Sequence, residues 1–385
     1  MPDFSYASFI SEDQTLGVLG GGQLGRMLIQ SAIDFNLNVH VLDPNPQAPC
    51  HAIATRFTAG SLTDFETVYA FGQDCDLLTI EIENVNTAAL KKLRDEGTPV
   101  YPEPEVIELI QDKREQKQFY QKHGIPTADF VLTESRADLA QHANRLPAVH
   151  KLGREGYDGR GVQKLRSEAD LSWGFDQPGV LEALIDFEKE VSVIVARNAR
   201  GEVTTFPVVE LVFHPEKNLV EYLFAPASVS EAVANRADQL ARTVIEQLNM
   251  TGLLAVEMFV TPAGEVLVNE VAPRTHNSGH HTIEANATSQ FEQHLRAILN
   301  MPLGSTTIHT PAAMVNLLGE DGYEGPARYT GLDEALATEG VSVHLYGKKL
   351  TKPFRKMGHI TLTAPTVAEL SDRARRLQET VKVIA

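Results

Sequence analysis

Residues 15–43 read TLGVLGGGQLGRMLIQSAIDFNLNVHVLD, and the glycines in this stretch constrain the chain more than any other feature. Gly20, Gly22 and Gly25 stand at G-x-G-x-x-G spacing between an apolar strand pattern and a helix pattern, and Asp43 follows about twenty residues on. A strand that turns so tightly into a helix belongs to an α/β sheet, and the free N–H groups at the helix start suit an anion. That physics asks for a phosphate or carboxylate and does not specify a dinucleotide. At this point a dinucleotide cofactor, another anionic ligand, and a turn required only for close helix packing all remain open.

The helix pattern places Leu28, Ala32 and Phe35 at i, i+4, i+7, and NVHVLD and DCDLLTIEIEN read as further strands. TAALKKLRDEG reads as a helix ended by Gly97. Strands alternating with helices predict a doubly wound parallel sheet over residues 1–112. A chain of 385 residues exceeds one ordinary core, so further domains are expected. After Pro102 and Pro104, EVIELIQDKREQKQFYQKHG predicts one charged helix.

Over residues 113–304 strands dominate. PAVHKL and VQKLRS flank a glycine-rich loop, VLEALIDFEKEVSVIVAR runs mostly extended, and TGLLAVEMFVTPAGEVLVNEVAP forms a long hairpin through a Thr-Pro-Ala-Gly turn. Residues 305–385 mix short strands with a basic terminal helix. The expected class is α/β, passing to α+β in the C-terminal parts.

The net charge is −17, from 51 acidic against 34 basic residues, which disfavours a nucleic-acid partner. Two cysteines without metal or redox spacing fit a reducing cytoplasm. The start carries no basic region ahead of an apolar run, and no apolar run reaches membrane-spanning length, so a cytoplasmic protein without a membrane partner is expected.

Four later segments could carry chemistry. In HKLGREGYDGRGVQ, Lys151 precedes Gly153, Gly156, Gly159 and Gly161, a loop whose N–H groups could fold over polyphosphate; the alternative is a hairpin loop without a ligand. On the long hairpin, a turn at Thr261–Gly264 pairs Val260 with Glu265 and Glu257 with Val268. Glu257 and Glu270 then become diagonal neighbours on one face, roughly 7–8 Å apart. Two carboxylates with Asn269 beside them suit magnesium, unless the face is merely solvated. In APRTHNSGHH, Pro273 and Gly279 argue against a helical His276/His280 zinc pair, and Arg274, His276 and Asn277 read as an anion site. In YGKKLTKPFRKMGH, Lys348, Lys349, Lys352, Arg355 and Lys356 are either a solvated surface or a phosphate grip.

Together, GGGQLGRM, GYDGRG, NEVAPRTHNSGH and YGK…RKMGHI resemble the ATP-grasp superfamily and, within it, the 5-(carboxyamino)imidazole ribonucleotide synthases of purine biosynthesis, over about residues 15–365. The resemblance implies three domains: a Rossmann-like pre-ATP-grasp domain at 1–112, an ATP-grasp domain at 113–304, and a small β-rich domain at 305–385 that completes the substrate site. It implies a homodimer that uses ATP, magnesium, bicarbonate and aminoimidazole ribonucleotide. It assigns Lys113 and Lys151 to ATP phosphates and Gly156, Tyr157, Asp158, Gly159, Arg160, Gly161 and Val162 to a closing loop. Glu182, Ala183, Leu184 and Ile185 would read adenine, Glu190 the ribose, and His214 would line the pocket. Asn269 would join the ATP site, and Glu257 and Glu270 would hold the metal.

Gln23, Leu24, Glu81 and Asn84 would line the ribonucleotide side, where Tyr157, Asp158 and Arg160 meet both substrates, with Asp158 a candidate for the proton of the attacking amine. Arg274, His276 and Asn277 would cradle bicarbonate. Lys348, Arg355 and Lys356 would serve the 5′-phosphate and reaction centre. Three positions depart from the family: Lys113 stands where arginine occurs, Glu155 replaces a loop glycine, and His281 stands where tryptophan is common. Under this resemblance Asp43 is a strand-end acid, and neither NAD nor FAD is expected. The competing readings are another ATP-grasp ligase, of the formate-dependent glycinamide ribonucleotide transformylase or biotin carboxylase type, a dinucleotide-dependent oxidoreductase, and a silent binding protein.

Overall fold

The computed structural model describes residues 6–11, 13–154, 156, 161–213 and 220–385. After a short helix α1 (Tyr6–Ser11), the chain builds β1 (Thr15–Leu19), α2 (Gln23–Asp34), β2 (Asn38–Asp43), β3 (Arg56–Ala59), α3 (Phe65–Gly72), β4 (Leu77–Ile80) and α4 (Thr87–Asp95). The four strands are parallel in the order β3-β2-β1-β4, as the strand–helix alternation predicts. Leu16, Val18, Leu77 and Leu78 are fully buried, since parallel strands carry helices on both faces. The strand read from DCDLLTIEIEN stops at Ile80, and the segment after it turns across the carboxyl ends of the sheet.

The charged segment expected as one helix is two, α5 (Pro104–Ile110) and α6 (Lys113–Lys122). Asp112 interrupts it: the Asp112 side chain accepts the Arg114 amide, an N-cap that starts a helix and therefore ends the one before it. The buried stripe of α6 comprises Gln116, Lys117 and Tyr120.

The central region contributes two sheets. The smaller is antiparallel, β5 (Phe130–Thr133), β6 (Ala148–Leu152), β7 (Val162–Leu165) and β8 (Gly179–Ala183), in the order β5-β8-β6-β7. The larger begins with β9 (Lys189–Arg197), β10 (Val203–Thr205), β11 (Val209–Phe213) and β12 (Val220–Ala225), continues through α7 (Glu231–Gln247), and adds the hairpin β13 (Gly252–Val260) and β14 (Val266–Ala272). The segment VLEALIDFEKEVSVIVAR therefore crosses from one sheet to the other, and the cleft between them is where its middle residues lie. Helix α7 is capped by Ser230 and buries Val233, Ala237, Leu240, Ala241, Val244 and Ile245, a 3.6-residue stripe that covers the large sheet.

Helix α8 (Gln290–Ile298) packs against α2 and joins the core of the first sheet to the central region; Thr79 and His294 hydrogen-bond across this seam at 2.9 Å. The C-terminal strands β15 (Ala312–Leu318), β16 (Val341–Leu345) and β17 (Lys356–Thr363) extend the large sheet, because β15 pairs antiparallel with β12. Helix α9 (Val367–Thr380) covers them with Leu370, Ala374 and Leu377. Cys50 and Cys75 are free and buried, and among the described residues no helix is long and apolar enough to cross a membrane.

Candidate active site

The hairpin β13–β14 sets the geometry of the cleft. Val260 pairs with Val266, Phe259 with Leu267 and Met258 with Val268, one residue from the register expected from the turn. Continued unchanged, this register would set Glu257 opposite Asn269 and place Glu270 on the other face of the sheet. A bulge corrects it. The ladder shifts between Met258 and Glu257, Asn269 is the extra residue, and Glu257 lies directly across from Glu270 rather than diagonal to it. On the neighbouring strand, Ser192 pairs with Glu257 and Glu190 with Phe259, so Glu190 shares the face of Glu257.

Burial pushes the Glu257 carboxyl up to about 8, with Glu270 and Glu190 adding to the shift; burial and Glu270 push Glu190 up to about 7. Carboxylates crowded in this way are the donors that a hard divalent cation relieves. Among the described residues no three His, Cys, Asp or Glu side chains form a complete metal site, so the Glu257/Glu270 pair could supply two ligands and leave the rest to phosphate or water oxygens.

A cavity of about 220 Å³ lies against this face, and the lining includes Lys113, Lys151, Gly156, Val162, Glu182 to Ile185, Glu190, Glu257, Asn269, Glu270, His276, Asn277 and Lys356. Lys151 Nζ donates to Asn269 Oδ1 at 2.9 Å and meets Glu182 Oε2 at 3.1 Å. Lys113 Nζ donates to the Gly156 carbonyl at 3.1 Å and stands 3.7 Å from Glu270 Oε2. Apolar side chains complete the lining: Val149, Phe187, Phe213, Val220 and Phe259, with the Phe187 and Phe259 rings stacked on each other at 4.8 Å. The cavity thus combines aromatic and apolar surface with a cluster of lysines and carboxylates.

His276 and Asn277 continue the charged cluster. His276 Nδ1 and Ser278 Oγ share a hydrogen bond of 2.9 Å, Ser278 joins Ser192 at 2.9 Å, and His276 Nε2 lies 3.7 Å from Glu257 Oε1. Asn277 and Asn316 exchange amide hydrogen bonds of 2.9 and 3.1 Å, which ties the segment to β15. Arg274 Nε lies 2.9 Å from Glu83 Oε1, on the segment that leaves β4. The His276–His280 stretch is a 3-10 turn, Asn277–Gly279, and His280 is buried with its Nδ1 on Gln290. His281 is fully buried, and burial lowers it to about 4, so it packs as a neutral ring.

The glycine turn lies at a second locus. Its helix start receives a carboxylate from the chain itself: Gly25 N–H donates to Glu81 Oε2 at 2.7 Å. Burial pushes Glu81 up to about 7, although that bond and the Arg274 and Lys348 charges oppose the shift. Asp43 accepts the Gly21 and Asn45 amides at 2.7 Å each, so it braces the turn. The Leu24 side chain is in the core beneath α2, and only its main chain is available to a ligand. Gln23 is half-buried at the start of α2, and Asn84 is exposed. Lys348 Nζ donates to the Lys356 carbonyl at 2.7 Å, and Arg355 Nη1 to the Leu350 carbonyl at 2.7 Å. Tyr157, Asp158, Gly159, Arg160 and His214 lie outside the described residues.

Two residues of this constellation escaped the sequence reading. Lys117 reaches Glu182 Oε2 at 3.3 Å from beneath the cavity, and its one signal was its place one helical turn after Lys113. Glu83 had no signal beyond its place between Glu81 and Asn84.

Three family profiles match successive parts of the chain: the ribonucleotide synthetase preATP-grasp domain at residues 13–111, the ATP-grasp domain at 118–291, and the phosphoribosylaminoimidazole carboxylase C-terminal domain at 312–373. The N5-carboxyaminoimidazole ribonucleotide synthase of Synechococcus elongatus is 40% identical over 379 residues, 96% of this chain and 94% of that one. The crystal structure of N5-carboxyaminoimidazole ribonucleotide synthetase from Thermotoga maritima is 41% identical with a TM-score of 0.89, covering 97% of this chain and 99% of that one. The Aspergillus clavatus synthase, in complex with ADP and 5-aminoimidazole ribonucleotide, is 36% identical with a TM-score of 0.87, covering 96% of this chain and 98% of that one.

Proposed function

The chain belongs to the N5-carboxyaminoimidazole ribonucleotide synthases, a family of ATP-grasp ligases, and from that membership we propose how its residues divide the work. The reaction is the ATP-dependent carboxylation of 5-aminoimidazole ribonucleotide with bicarbonate in purine biosynthesis. Its products are 5-(carboxyamino)imidazole ribonucleotide, ADP and phosphate. The observation that carries the division is the mixed lining of the cavity, aromatic and apolar side chains together with paired lysines and carboxylates.

Lys113 and Lys151 hold the ATP phosphates, and Glu182 to Ile185 with Glu190 hold the nucleoside. Glu257 and Glu270, set opposite each other by the Asn269 bulge, hold magnesium, which supplies charge neutralisation at the phosphates when bound. Bicarbonate is a poor electrophile, and bringing it to a polyphosphate sets anion against anion. Cations placed beforehand around the transferring phosphoryl group are therefore most of the catalytic task. Arg274, His276 and Asn277 receive bicarbonate, which becomes carboxyphosphate. That species is labile in water, so the loop around Gly156 to Val162, including Tyr157, Asp158 and Arg160, closes over it. His214 completes the nucleotide pocket.

The amine acceptor binds by Gln23, the Leu24 main chain, Glu81 and Asn84, with Lys348, Arg355 and Lys356 on its phosphate side. The enzyme works as a cytoplasmic homodimer, which size-exclusion chromatography with light scattering of the purified chain would check for the assembly. The primary test is ADP release with MgATP and bicarbonate, with and without aminoimidazole ribonucleotide, beside glycinamide ribonucleotide with formate as control. Stimulation by aminoimidazole ribonucleotide alone supports the reading, and stimulation by the control pair would overturn it.

A further inference from the structure

The roles above leave one buried charge without a task. Lys117 lies on the inward stripe of α6 and is 2% exposed. Its Nζ donates to Thr127 Oγ1 at 2.6 Å, and that hydroxyl donates onward to the Val268 carbonyl, also at 2.6 Å, beside the bulge. The third neighbour of Lys117 is Glu182 Oε2, at 3.3 Å, the same oxygen that Lys151 meets at 3.1 Å. Glu182 is 3% exposed and lines the cavity, yet its other oxygen, Oε1, is buried without a hydrogen-bond partner. Two cations thus hold one oxygen, and the remaining acceptor is unsatisfied on a residue that lines the cavity together with Ala183, Leu184 and Ile185.

A buried acceptor without a donor is a site built for a donor. A 6-aminopurine presents an N–H pair at its exocyclic position, whereas a 6-oxopurine presents an oxygen. We propose that Lys117 is a positioning residue that sets nucleobase selectivity. By sharing Glu182 Oε2 with Lys151, it keeps Glu182 an ionised acceptor with Oε1 left for the base amine. The inference rests on the reading of this cavity as the nucleotide site.

The charge balance agrees with the geometry. Burial pushes Glu182 upward, but Lys151 from β6 and Lys117 from α6 together overcome it and hold the carboxyl below its ordinary value. Burial lowers Lys117 to about 8, while Glu270 and Glu190, from β14 and β9, add to the pull of Glu182 on Lys151. Without the Lys117 charge, burial is less opposed and Glu182 takes up a proton at higher pH. A protonated Glu182 offers an O–H to a 6-oxo group and no longer rejects it.

The test compares ATP and GTP as phosphoryl donors with bicarbonate and aminoimidazole ribonucleotide, between pH 6 and 8, in the full chain and in Lys117→Met and Lys117→Arg. Lys117→Met should lower the ATP-over-GTP ratio of kcat/KM by about tenfold or more, and further at pH 6 than at pH 8. Lys117→Arg should restore most of the ratio, and the KM for aminoimidazole ribonucleotide should not move. Equal losses for ATP and GTP at every pH, or an unaltered ratio, would overturn the proposal. Should Lys117→Met fail to fold, the wild-type chain decides: purine riboside triphosphate, which lacks the 6-amino group, should bind less tightly than ATP. Equal binding removes the acceptor role of Glu182. A wild-type chain inactive with ATP, bicarbonate and acceptor would instead overturn the functional reading, so the two failures are distinct.

Discussion

Replacing Gly22 with alanine tests whether the glycine turn serves the substrate through Glu81. Gly22 has φ −78° and ψ −155°, a backbone that any residue adopts, so the substitution asks only about space. A Cβ there would lie 2.4 Å from Glu81 Oε1 and 3.2 Å from its Cδ, closer than atoms pack. The carboxylate, at the end of its side chain, is what yields. In moving, it surrenders the Gly25 amide, a charge-assisted bond worth about 1.5–3 kcal/mol. It also leaves the desolvated position that pushes it up to about 7, and because these two terms oppose, Tm should move little.

What Gly22→Ala loses is the fixed position of Glu81. A loss of about 1.5–3 kcal/mol on the substrate side corresponds to a rise in KM for aminoimidazole ribonucleotide of roughly 10–150-fold, since each 1.4 kcal/mol is about tenfold. The KM for ATP should stay within about twofold, because the turn contributes nothing to the nucleotide cavity. Steady-state rates with each substrate varied in turn provide the measurement, and the double variant with Glu81→Ala sharpens it. Once Glu81 is truncated, Gly22→Ala has nothing left to displace, so the two costs must not add. An unaltered KM for the ribonucleotide, equal rises for both substrates, or additive costs would each refute the reasoning.

Asn269→Ala removes the acceptor that Lys151 Nζ reaches at 2.9 Å and leaves a buried ammonium one bond short; titration should show ATP affinity falling by about tenfold or more, and unchanged affinity would reject the role of Asn269. Glu83→Gln frees Arg274 from its 2.9 Å ion pair with the segment that carries Glu81. ADP released per carboxylated product should then rise severalfold, as bicarbonate is activated without the acceptor in place, and an unchanged ratio would dismiss Glu83 as a link between the two loci. Glu81 itself gives a pH signature. Its folded value, about 7, is raised above the ordinary 4.5, so the stability it contributes is complete below about 4.5 and is lost as pH rises through 7. The loss is up to about 3 kcal/mol, and thermal melts of Glu81→Gln between pH 5 and 8 should show that part of the slope removed.

How far these features could be read from the chain follows from how local their causes are. The strand–turn–helix at Gly20 to Gly25 and the hairpin at Thr261 to Gly264 depend on neighbours a few residues apart, and both form where the pattern places them. The break between α5 and α6 was also written locally, since Asp112 is an N-cap residue, but the charged run that follows it hid the cap within an apparently continuous helix. The bulge at Asn269 was not readable, because a period-two pattern carries no mark of a residue that steps out of the ladder. The shared face of Glu257 and Glu270 was expected from a register that the protein does not use, and the bulge restores it. The join of β12 to β15 was hidden for another reason: it pairs Tyr222 with Val315, and nothing in either strand names its partner.

Lys117 shows what a fuller reading would need. Charge on a helix reads as solvated surface until the buried stripe is known, and the stripe of α6 runs through Gln116, Lys117 and Tyr120 because Tyr120 is fully buried. A lysine on such a stripe is stable only where a carboxylate on another element meets it. The informative pattern is therefore a pair separated by 65 residues, Lys117 and Glu182, neither of which is unusual alone. The same physics that conceals the pair makes it consequential. A buried charge held by a distant partner fixes the positions of both elements, and here those elements, α6 and β8, both contribute lining residues to the cavity.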